Sequence, residues 1–250
     1  MDATARRIRA ASSGTTPADG GAGQPVISCT NIARTFGTGA QAVVAVYNVT
    51  LTVAGNARAA LTGPSGSGKS TLLHLFAGLE SPSAGELRWP ALGGHPLDEP
   101  GRVGMIFQGP SLLPALTVAE NVILPLQLAG ADLASARQAS ENALAVLGIA
   151  ELASSLPEEI SGGQAQRVAI ARAVASGPSL ILADEPTGQL DRATASLVMD
   201  VLLQACDALG AALIVSTHDP LIAGRLPQRW EMSDGTLADR LGPSSIGAPR

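Results

Sequence analysis

A segment that reads GPSGSGKST, from Gly63 to Thr71, contains the only lysine of this 250-residue chain; every other Lys-or-Arg position holds arginine. Its glycines let the backbone turn tightly and point several N–H groups at one centre, which is how a main chain holds an anion. A lysine ammonium is a compact charge on a flexible stem, so it reaches a phosphate differently from a planar guanidinium. The spacing G-x-x-x-x-G-K-S predicts a phosphate-binding loop, with Lys69 on the β- and γ-phosphates of a nucleotide and Ser70 on Mg²⁺. The candidate nucleotide contacts are Gly63, Pro64, Ser65, Gly66, Ser67, Gly68, Lys69, Ser70 and Thr71.

Two acids end an apolar run, LILADEP, that extends from Leu180 to Pro186. A carboxylate at the end of a strand, here Asp184, can hold Mg²⁺ through water, and the adjacent Glu185 is placed to accept a proton from an attacking water. Strands also end in acids where the chain simply returns to the surface. Because a phosphate loop precedes this run in the same chain, we favour a metal ligand at Asp184 and a general base at Glu185.

A third segment, ISGGQAQR from Ile160 to Arg167, combines a serine, two glycines and a glutamine at the predicted start of a helix. Such a helix start is a second site suited to an anion, because its first N–H groups are free and its dipole favours negative charge. One chain needs a single cradle for each γ-phosphate. The second cradle therefore predicts that a second molecule takes part.

Short apolar runs bounded by glycine or proline predict the strands that position these segments. The runs are residues 48–53, 58–63, 102–108, 179–185 and 211–217, and several are apolar throughout, as in a parallel sheet buried on both faces. Helical patterns alternate with them over residues 69–77, 117–128, 133–147, 163–175 and 192–209. This alternation predicts an α/β fold, and the strand-free stretch from about residue 112 to 160 predicts an inserted helical subdomain.

The order of the three segments resembles that of the ATP-binding subunit of an ABC transporter. ISGGQ is similar to the LSGGQ signature of that family, with Ile160 in place of leucine, and the resemblance covers residues 26–238. It implies a P-loop NTPase of ABC ATPase type, with a mostly parallel central sheet, an antiparallel β-subdomain and an inserted helical subdomain. We therefore expect one ATPase domain over residues 25–241, with its helical subdomain at about residues 109–165.

The resemblance also implies ATP and Mg²⁺ as cofactors and a role for single residues. Gln108 is similar to the glutamine that senses Mg²⁺ and the attacking water, and His218 to the histidine that contacts the γ-phosphate. Phe36 occupies the position of an aromatic ring that stacks on adenine, although an ordinary loop or core aromatic is the alternative. In the family two chains pack head to tail, so the signature segment acts on the ATP of the partner. The implied residues are Ser161, Gly162, Gly163 and Gln164 across the interface, Glu185, His218, Gln108 and Lys69 in catalysis, and Ser70, Gln108 and Asp184 on the metal.

Residues 113–130 and the segment ADEPTGQLD are similar to the branch that contains lipoprotein-releasing, macrolide-export and cell-division ATPases. Two features depart from that branch: the stretch between Glu86 and Gln108 is short, and residues 188–191 read GQLD. An importer ATPase and a signalling ATPase of the cell-division type therefore stay open as alternatives to export or lipoprotein release.

The implied partners are an integral membrane permease and a second ATPase chain, in a homodimer or an ABC heterodimer. No apolar run reaches the roughly 20 residues of a spanning helix, so we expect membrane contact only through the permease and a cytoplasmic, peripheral position on the inner face of the cell membrane. Leu112, Leu113 and Leu116 are candidates for a groove that receives a permease helix, or they pack the helical subdomain.

Charge and composition argue against other functions. The net charge is −5 and no block of basic residues is present, which disfavours nucleic acid as a partner. An ABC-type ATPase that acts on nucleic acid or ribosomes is therefore a remote alternative, and a P-loop kinase would have no use for ISGGQ. Residues 1–24 and 242–250 lack an apolar period and predict disordered tails.

Overall fold

A computed structural model describes residues 23–241 of the chain. Its strands are β1 (Pro25–Phe36), β2 (Val43–Ala54), β3 (Arg58–Thr62), β4 (Ala84–Arg88), β5 (Val103–Ile106), β6 (Leu180–Asp184), β7 (Ala212–Ser216), β8 (Gln228–Ser233) and β9 (Thr236–Leu241). Its α-helices are α1 (Lys69–Phe76), α2 (Val118–Leu128), α3 (Leu133–Val146), α4 (Gly162–Val174), α5 (Arg192–Leu209) and α6 (Pro220–Ala223). The predicted tails lie outside the described residues, apart from Gly23 and Gln24.

The central sheet has six strands in the order β5-β6-β7-β3-β8-β9, and all neighbours are parallel except β8 and β9. β6 and β7 are buried along their whole lengths, as expected for parallel strands that are covered on both faces. The register aligns Ile106 with Ala183, and Ser216 with both Asp184 and Leu61. The carboxyl ends of β3, β5, β6 and β7 therefore meet at one edge, where open α/β sheets bind their ligands.

A second sheet is antiparallel and has three strands in the order β2-β1-β4. The predicted run at residues 48–53 is the second half of β2, and there buried and exposed residues alternate because only one face meets the core. The apolar-run criterion misses β1, β4, β8 and β9. The core beneath this sheet contains Phe76 of α1 and Trp89, whose indole N–H donates to the Phe76 carbonyl at 2.8 Å. The antiparallel sheet is thus packed against the helix that follows the phosphate loop.

The inserted helical part contains α2 and α3, and it shares a core with α4 and α5 through side chains such as Val122, Leu144 and Val198. Buried Asn121 holds the segment between β5 and α2. Its side chain accepts from the Leu113 N–H at 2.7 Å and donates to the Leu116 carbonyl at 3.0 Å. The predicted helical insertion is therefore present, while its boundaries at about residues 109 and 165 stay a prediction.

The ends of the five predicted helices agree with the observed ends within one residue. Side chains cap the starts of five α-helices in the described part of the chain: Thr117 for α2, Asp132 for α3, Ser161 for α4, Asp191 for α5 and Asp219 for α6. Each cap accepts hydrogen bonds from N–H groups that have no partner inside the helix. Hydrogen bonds from the Thr194 hydroxyl and N–H hold the pKa of Asp191 below its usual value.

Candidate active site

The phosphate loop joins the end of β3 to the start of α1. Gly68 precedes the helix in the left-handed region, with φ of 100°, and no side chain caps the helix start. Gly63, at the other end of the loop, has φ of 145°. A side chain would strain both conformations. The first turn of α1 therefore presents its backbone N–H groups to whatever lies in the loop.

Close backbone contacts also require glycine at both ends of this loop. A Cβ on Gly63 would lie 2.1 Å from the Met232 carbonyl oxygen of β8, and a Cβ on Gly68 would lie 2.1 Å from the Ala45 carbonyl oxygen of β2. Neither strand can move away without breaking its sheet. The loop is therefore held between the parallel sheet and the antiparallel sheet.

The side chain of Lys69 lies across its own loop and is largely buried. Its Nζ donates to the carbonyl oxygens of Gly63 and Pro64, both at 2.9 Å. The hydroxyl of Ser67 is buried beside Gly63 and has no hydrogen-bond partner among the described residues. A buried hydroxyl without a partner is costly, and a phosphate oxygen would satisfy it. The loop geometry thus fits a bound phosphate group.

The two predicted acids lie at the end of β6. The buried carboxylate of Asp184 accepts a hydrogen bond from the Ser216 hydroxyl of β7. Glu185 has φ of 47°, an uncommon conformation for a residue other than glycine, and its N–H donates to the Ser216 carbonyl at 3.1 Å. Ser216 therefore orients both acids. Sequence reasoning missed it, although a polar residue at the end of the buried run ALIVS was a usable signal.

The side chain of Glu185 is 14% exposed and that of His218 is 70% exposed, and the two are in contact. His218 Nδ1 lies 2.8 Å from Glu185 Oε2. His218 follows β7 by two residues, so this contact spans the ends of two neighbouring parallel strands. The structure thus brings together the candidate base and the candidate γ-phosphate histidine.

Gln108 follows β5 by two residues, and its side chain is exposed at the same edge of the sheet. Arg172 of α4 holds the loop beyond it: the guanidinium donates to the Ser111 carbonyl at 2.8 Å and to the Pro110 carbonyl at 3.0 Å. Sequence reasoning missed Arg172, because no local pattern connects residues 61 and 62 positions apart. The loop that carries Gln108 is therefore attached to the helix that carries the signature segment.

The signature segment forms the start of α4. Ser161 Oγ accepts from the Gln164 N–H at 3.3 Å, and the Gln164 side chain accepts from the Ser161 N–H at 2.8 Å. A Cβ on Gly163 would lie 2.4 Å from Thr194 Cγ2 of α5. Among the described residues, no hydrogen bond joins this segment to the phosphate loop of the same chain. Thr194 was not a predicted site residue.

The fold and this edge define a P-loop nucleoside triphosphatase: a glycine loop after a buried strand, and an aspartate and a glutamate at the end of a neighbouring strand. Residues 46–188 match the family model described as "ABC transporter". That match covers more than half of the chain, and several relatives align along nearly all of their length. The chain belongs to the ABC transporter family.

Three comparisons illustrate this membership. The chain is 41% identical to the lipoprotein-releasing system ATP-binding protein LolD of Maricaulis maris, over 85% of this chain and 96% of the relative. It is 41% identical to the macrolide export ATP-binding/permease protein MacB of Burkholderia thailandensis, over 90% of this chain but 36% of the relative. The solved dimer of the ATP-binding cassette MJ0796 bound to ADP and Pi superposes with a TM-score of 0.79 at 31% identity, over 88% of this chain and 100% of that chain.

These findings confirm the predicted fold class and the predicted enzyme. The chain is an ATP-binding subunit of an ABC transporter, it hydrolyses ATP, and its cofactors are ATP and Mg²⁺. No helix between residues 23 and 241 is both long and apolar enough to cross a membrane. The roles of individual residues stay a prediction.

Proposed function

We propose that two copies of this chain pack head to tail, with each ATP between the phosphate loop of one protomer and the signature segment of its partner. The observation that carries this proposal is the start of α4, where the signature segment makes no hydrogen bond to the phosphate loop of its own chain within residues 23–241. The cassettes in the two similar solved structures are dimeric. Two chains are needed because a single chain separates the two halves of the nucleotide site.

In this arrangement Lys69 and the loop N–H groups bind the phosphates. Its Nζ exchanges the carbonyls of Gly63 and Pro64 for phosphate oxygens, and the Ser67 hydroxyl gains the partner that it lacks. The metal would be held by the Ser70 hydroxyl, Asp184 and Gln108. When bound, Mg²⁺ neutralises charge on the β- and γ-phosphates.

Glu185 is the proposed general base for in-line attack of water on the γ-phosphate. Its backbone is fixed by Ser216 and its carboxylate by His218 at 2.8 Å, so little reorientation is needed when water arrives. His218, which is mostly exposed, is free to contact the γ-phosphate on the other side. The carboxylate accepts one proton from the water as the new P–O bond forms, while the bond from the γ-phosphorus to the β–γ bridging oxygen breaks and ADP leaves.

The test of this chemistry is Glu185→Gln, which removes the base and retains the shape. We expect ATP binding to persist, steady-state hydrolysis to fall by about 10²-fold or more, and the dimer to accumulate in ATP and Mg²⁺ during size-exclusion chromatography with light scattering. Glu99→Gln, at an exposed acid in the turn before β5, is the matched control. Unchanged turnover in Glu185→Gln would refute the assignment of the base.

We further infer that the partner is a permease that docks in a groove between α2 and α3. The groove is about 550 Å³ and lies in the helical part, away from the phosphate loop. Its apolar lining includes Leu116, Leu124 and Leu144, and Glu120, Glu141 and Arg137 are also among the lining residues. A groove that is lined by both apolar and charged side chains fits one amphipathic helix. Of the three predicted leucines, Leu116 lines this groove, Leu112 packs against the core and Leu113 is exposed.

The relatives support a permease of export or lipoprotein-release type. MacB, as its name states, combines an ATP-binding part and a permease in one protein, and this chain aligns with 36% of it. The LolD relatives, which match this chain along nearly their whole length, are ATP-binding proteins of lipoprotein-releasing systems. We therefore propose that this chain lies at the cytoplasmic face of the membrane, held there by a permease, and that ATP drives lipoprotein release or export.

The experiment is affinity purification of the full chain from its native membranes, with mass spectrometry of its partners. A permease with a large domain outside the membrane supports release or export, whereas a compact permease with a solute-binding protein would mean an importer. Ribosomal or DNA-repair partners would overturn the transport function. Leu124→Arg, in the groove, should lose the permease and keep basal ATP hydrolysis, whereas Leu128→Arg, on the same helix but 79% exposed, should keep both.

A further inference from the structure

The ring of Phe36 is supported from one side by a positive charge. Arg34 and Phe36 are both in β1, two residues apart, and so they extend from the same face of the strand. The guanidinium carbon of Arg34 lies 4.6 Å from the centroid of the Phe36 ring. This separation is within the range of a cation–π contact. One face of the ring is therefore covered.

Arg34 is itself fixed in place. Its Nη2 lies 2.6 Å from Glu80 Oε2. The side chain of Arg34 is 25% exposed and that of Glu80 is 31% exposed. Glu80 follows α1, and its N–H donates to the His74 carbonyl at 3.3 Å. Arg34 thus links the end of β1 to the helix that begins at the phosphate loop.

Phe36 lies at a partly exposed end of its strand. It is the last residue of β1, it is 38% exposed, and Gly37 follows with φ of 74°. A ring in such a position can adopt more than one staggered rotamer, and a contact with a neighbour helps to select among them. Because the guanidinium covers one face, the exposed part of the ring lies away from it.

We propose that Arg34 is a positioning residue that holds the Phe36 ring ready to stack on the base of the nucleotide. This inference rests on the proposed role of Phe36 as the base-stacking ring. The Arg34–Glu80 pair sets the ring relative to α1, so the base and the phosphates are bound at a defined separation. A planar guanidinium can lie flat on a ring, whereas a lysine ammonium supports it only at a point.

The first measurement compares Arg34→Met and Phe36→Ala with the unchanged chain in steady-state ATP hydrolysis. Removing the stacking ring should raise KM for ATP by about 10-fold. Arg34→Met keeps the length of the side chain and loses the charged plane, and it should raise KM by about 2- to 5-fold with kcat unchanged. Arg34→Lys should recover only part of this loss.

The second measurement asks whether Arg34 acts through Phe36. In the Phe36→Ala background, Arg34→Met should cause no further rise in KM, because the ring that it positions is already absent. Competition by tripolyphosphate, which has no base, should be the same for Arg34→Met and the unchanged chain. Arg88→Met is the matched control, because Arg88 pairs with Glu86 on β4 of the same sheet and is 70% exposed.

The outcomes separate the inference from the function on which it rests. If Phe36→Ala leaves KM unchanged, the base-stacking role of Phe36 is wrong. If Phe36→Ala raises KM but Arg34→Met does not, or the two effects add fully, the positioning role of Arg34 is overturned. A fall in kcat, in tripolyphosphate binding and in thermal stability together would instead make Arg34 a structural residue, which also overturns the inference.

Discussion

The sequence predicts anion sites at the starts of α1 and α4, and these two helix starts differ in whether side chains bind their first backbone N–H groups. Gly68 precedes α1 in the left-handed region and supplies no side-chain cap. Ser161 and Gln164 cap the start of α4 reciprocally. α1 is therefore open to an external anion, whereas α4 is stable before any ligand or partner arrives. This difference fits a loop that binds ATP within its own chain and a signature that meets ATP only across an interface.

The two helix starts also differ in what holds them. Glycine at positions 63 and 68 is required by main-chain carbonyls of β8 and β2, which belong to sheets and do not move. Gly163 is required by a side chain, Thr194 Cγ2, at 2.4 Å. Main-chain atoms of two sheets thus exclude a side chain from the phosphate loop, whereas one side-chain methyl group excludes it at Gly163.

The largest effect should come from Lys69. We expect Lys69→Ala to lower ATP turnover by about 10²- to 10³-fold, because it removes a preorganised charge at the phosphates. Lys69→Arg keeps the charge but should fail to restore turnover, since the buried site accommodates a compact ammonium. Binding of a fluorescent ATP analogue and phosphate release measure the two steps. Full activity in Lys69→Arg would show that charge alone is sufficient in this loop.

The next largest loss of turnover is expected from a substitution at the start of α4. Gly163→Ala would place a Cβ 2.4 Å from Thr194 Cγ2, so the helix start must shift, at a cost of about 1–3 kcal/mol. We expect turnover to fall while one chain still binds ATP at its own phosphate loop. Thr194→Ser removes that methyl group and keeps the hydroxyl that donates to Asp191 at 2.6 Å.

The double variant Gly163→Ala with Thr194→Ser is the control for this prediction. It should recover most of the lost turnover, because the clash is gone and the cap of α5 is retained. If the double variant is as inactive as Gly163→Ala, the methyl contact is not what fixes the signature.

A smaller effect is expected on the free energy of unfolding when Ser161 or Ser67 is replaced. Ser161→Ala removes the cap of α4 and should lower the free energy of unfolding by about 1 kcal/mol. Ser67→Ala removes a buried hydroxyl that has no partner in the described part of the chain, and so it should be close to neutral for stability without nucleotide. Urea denaturation measures both. With ATP present, Ser67→Ala should gain less stability than the unchanged chain, because stabilisation follows ligand affinity.

The smallest effect concerns two buried thiols, one in each half of the core. Burial raises the pKa of Cys29, in the antiparallel sheet, to about 11, and that of Cys206, in α5, to about 12. The pKa of each thiol in the unfolded chain is near 9. The contribution of these thiols to the free energy of unfolding is therefore fully present below pH 9 and is lost as the pH rises through the higher pKa values of the folded state. Reaction with a disulfide reagent at pH 8 should therefore be slow until the chain opens.

Single variants assign the labelling rate of each thiol to one half of the core. Cys29→Ser leaves the thiol of α5, and Cys206→Ser leaves the thiol of β1, so each reports one region with and without ATP. Rapid stoichiometric labelling of either thiol at pH 8 would contradict the protection that burial predicts.

Local signals in the sequence predicted the helices and the buried strands well. Thr117, Asp132 and Asp191 mark helix starts, and the unbroken apolar runs at β6 and β7 mark strands of a parallel sheet. β1 and β4 escaped the same criteria, because polar residues interrupt the apolar residues of β1 and no residue of β4 is buried. The two strands form by antiparallel pairing, for example of Cys29 with Leu87. Such pairing depends on contacts between residues far apart in sequence.

The sequence by itself determined the chemistry: a single lysine in a glycine loop, two acids after a buried strand, and a signature at a helix start. These are local patterns, since each needs only a few adjacent residues on one element. Only the tertiary structure decided that Ser216 orients both acids, that Thr194 bounds Gly163, that Arg172 fastens the loop after Gln108, and that Arg34 covers one face of Phe36. Most of these contacts join distant elements, and Arg34, which contacts nearby Phe36, also pairs with distant Glu80. The physical reason is that their energies depend on how the chain packs, which short-range spacing does not encode.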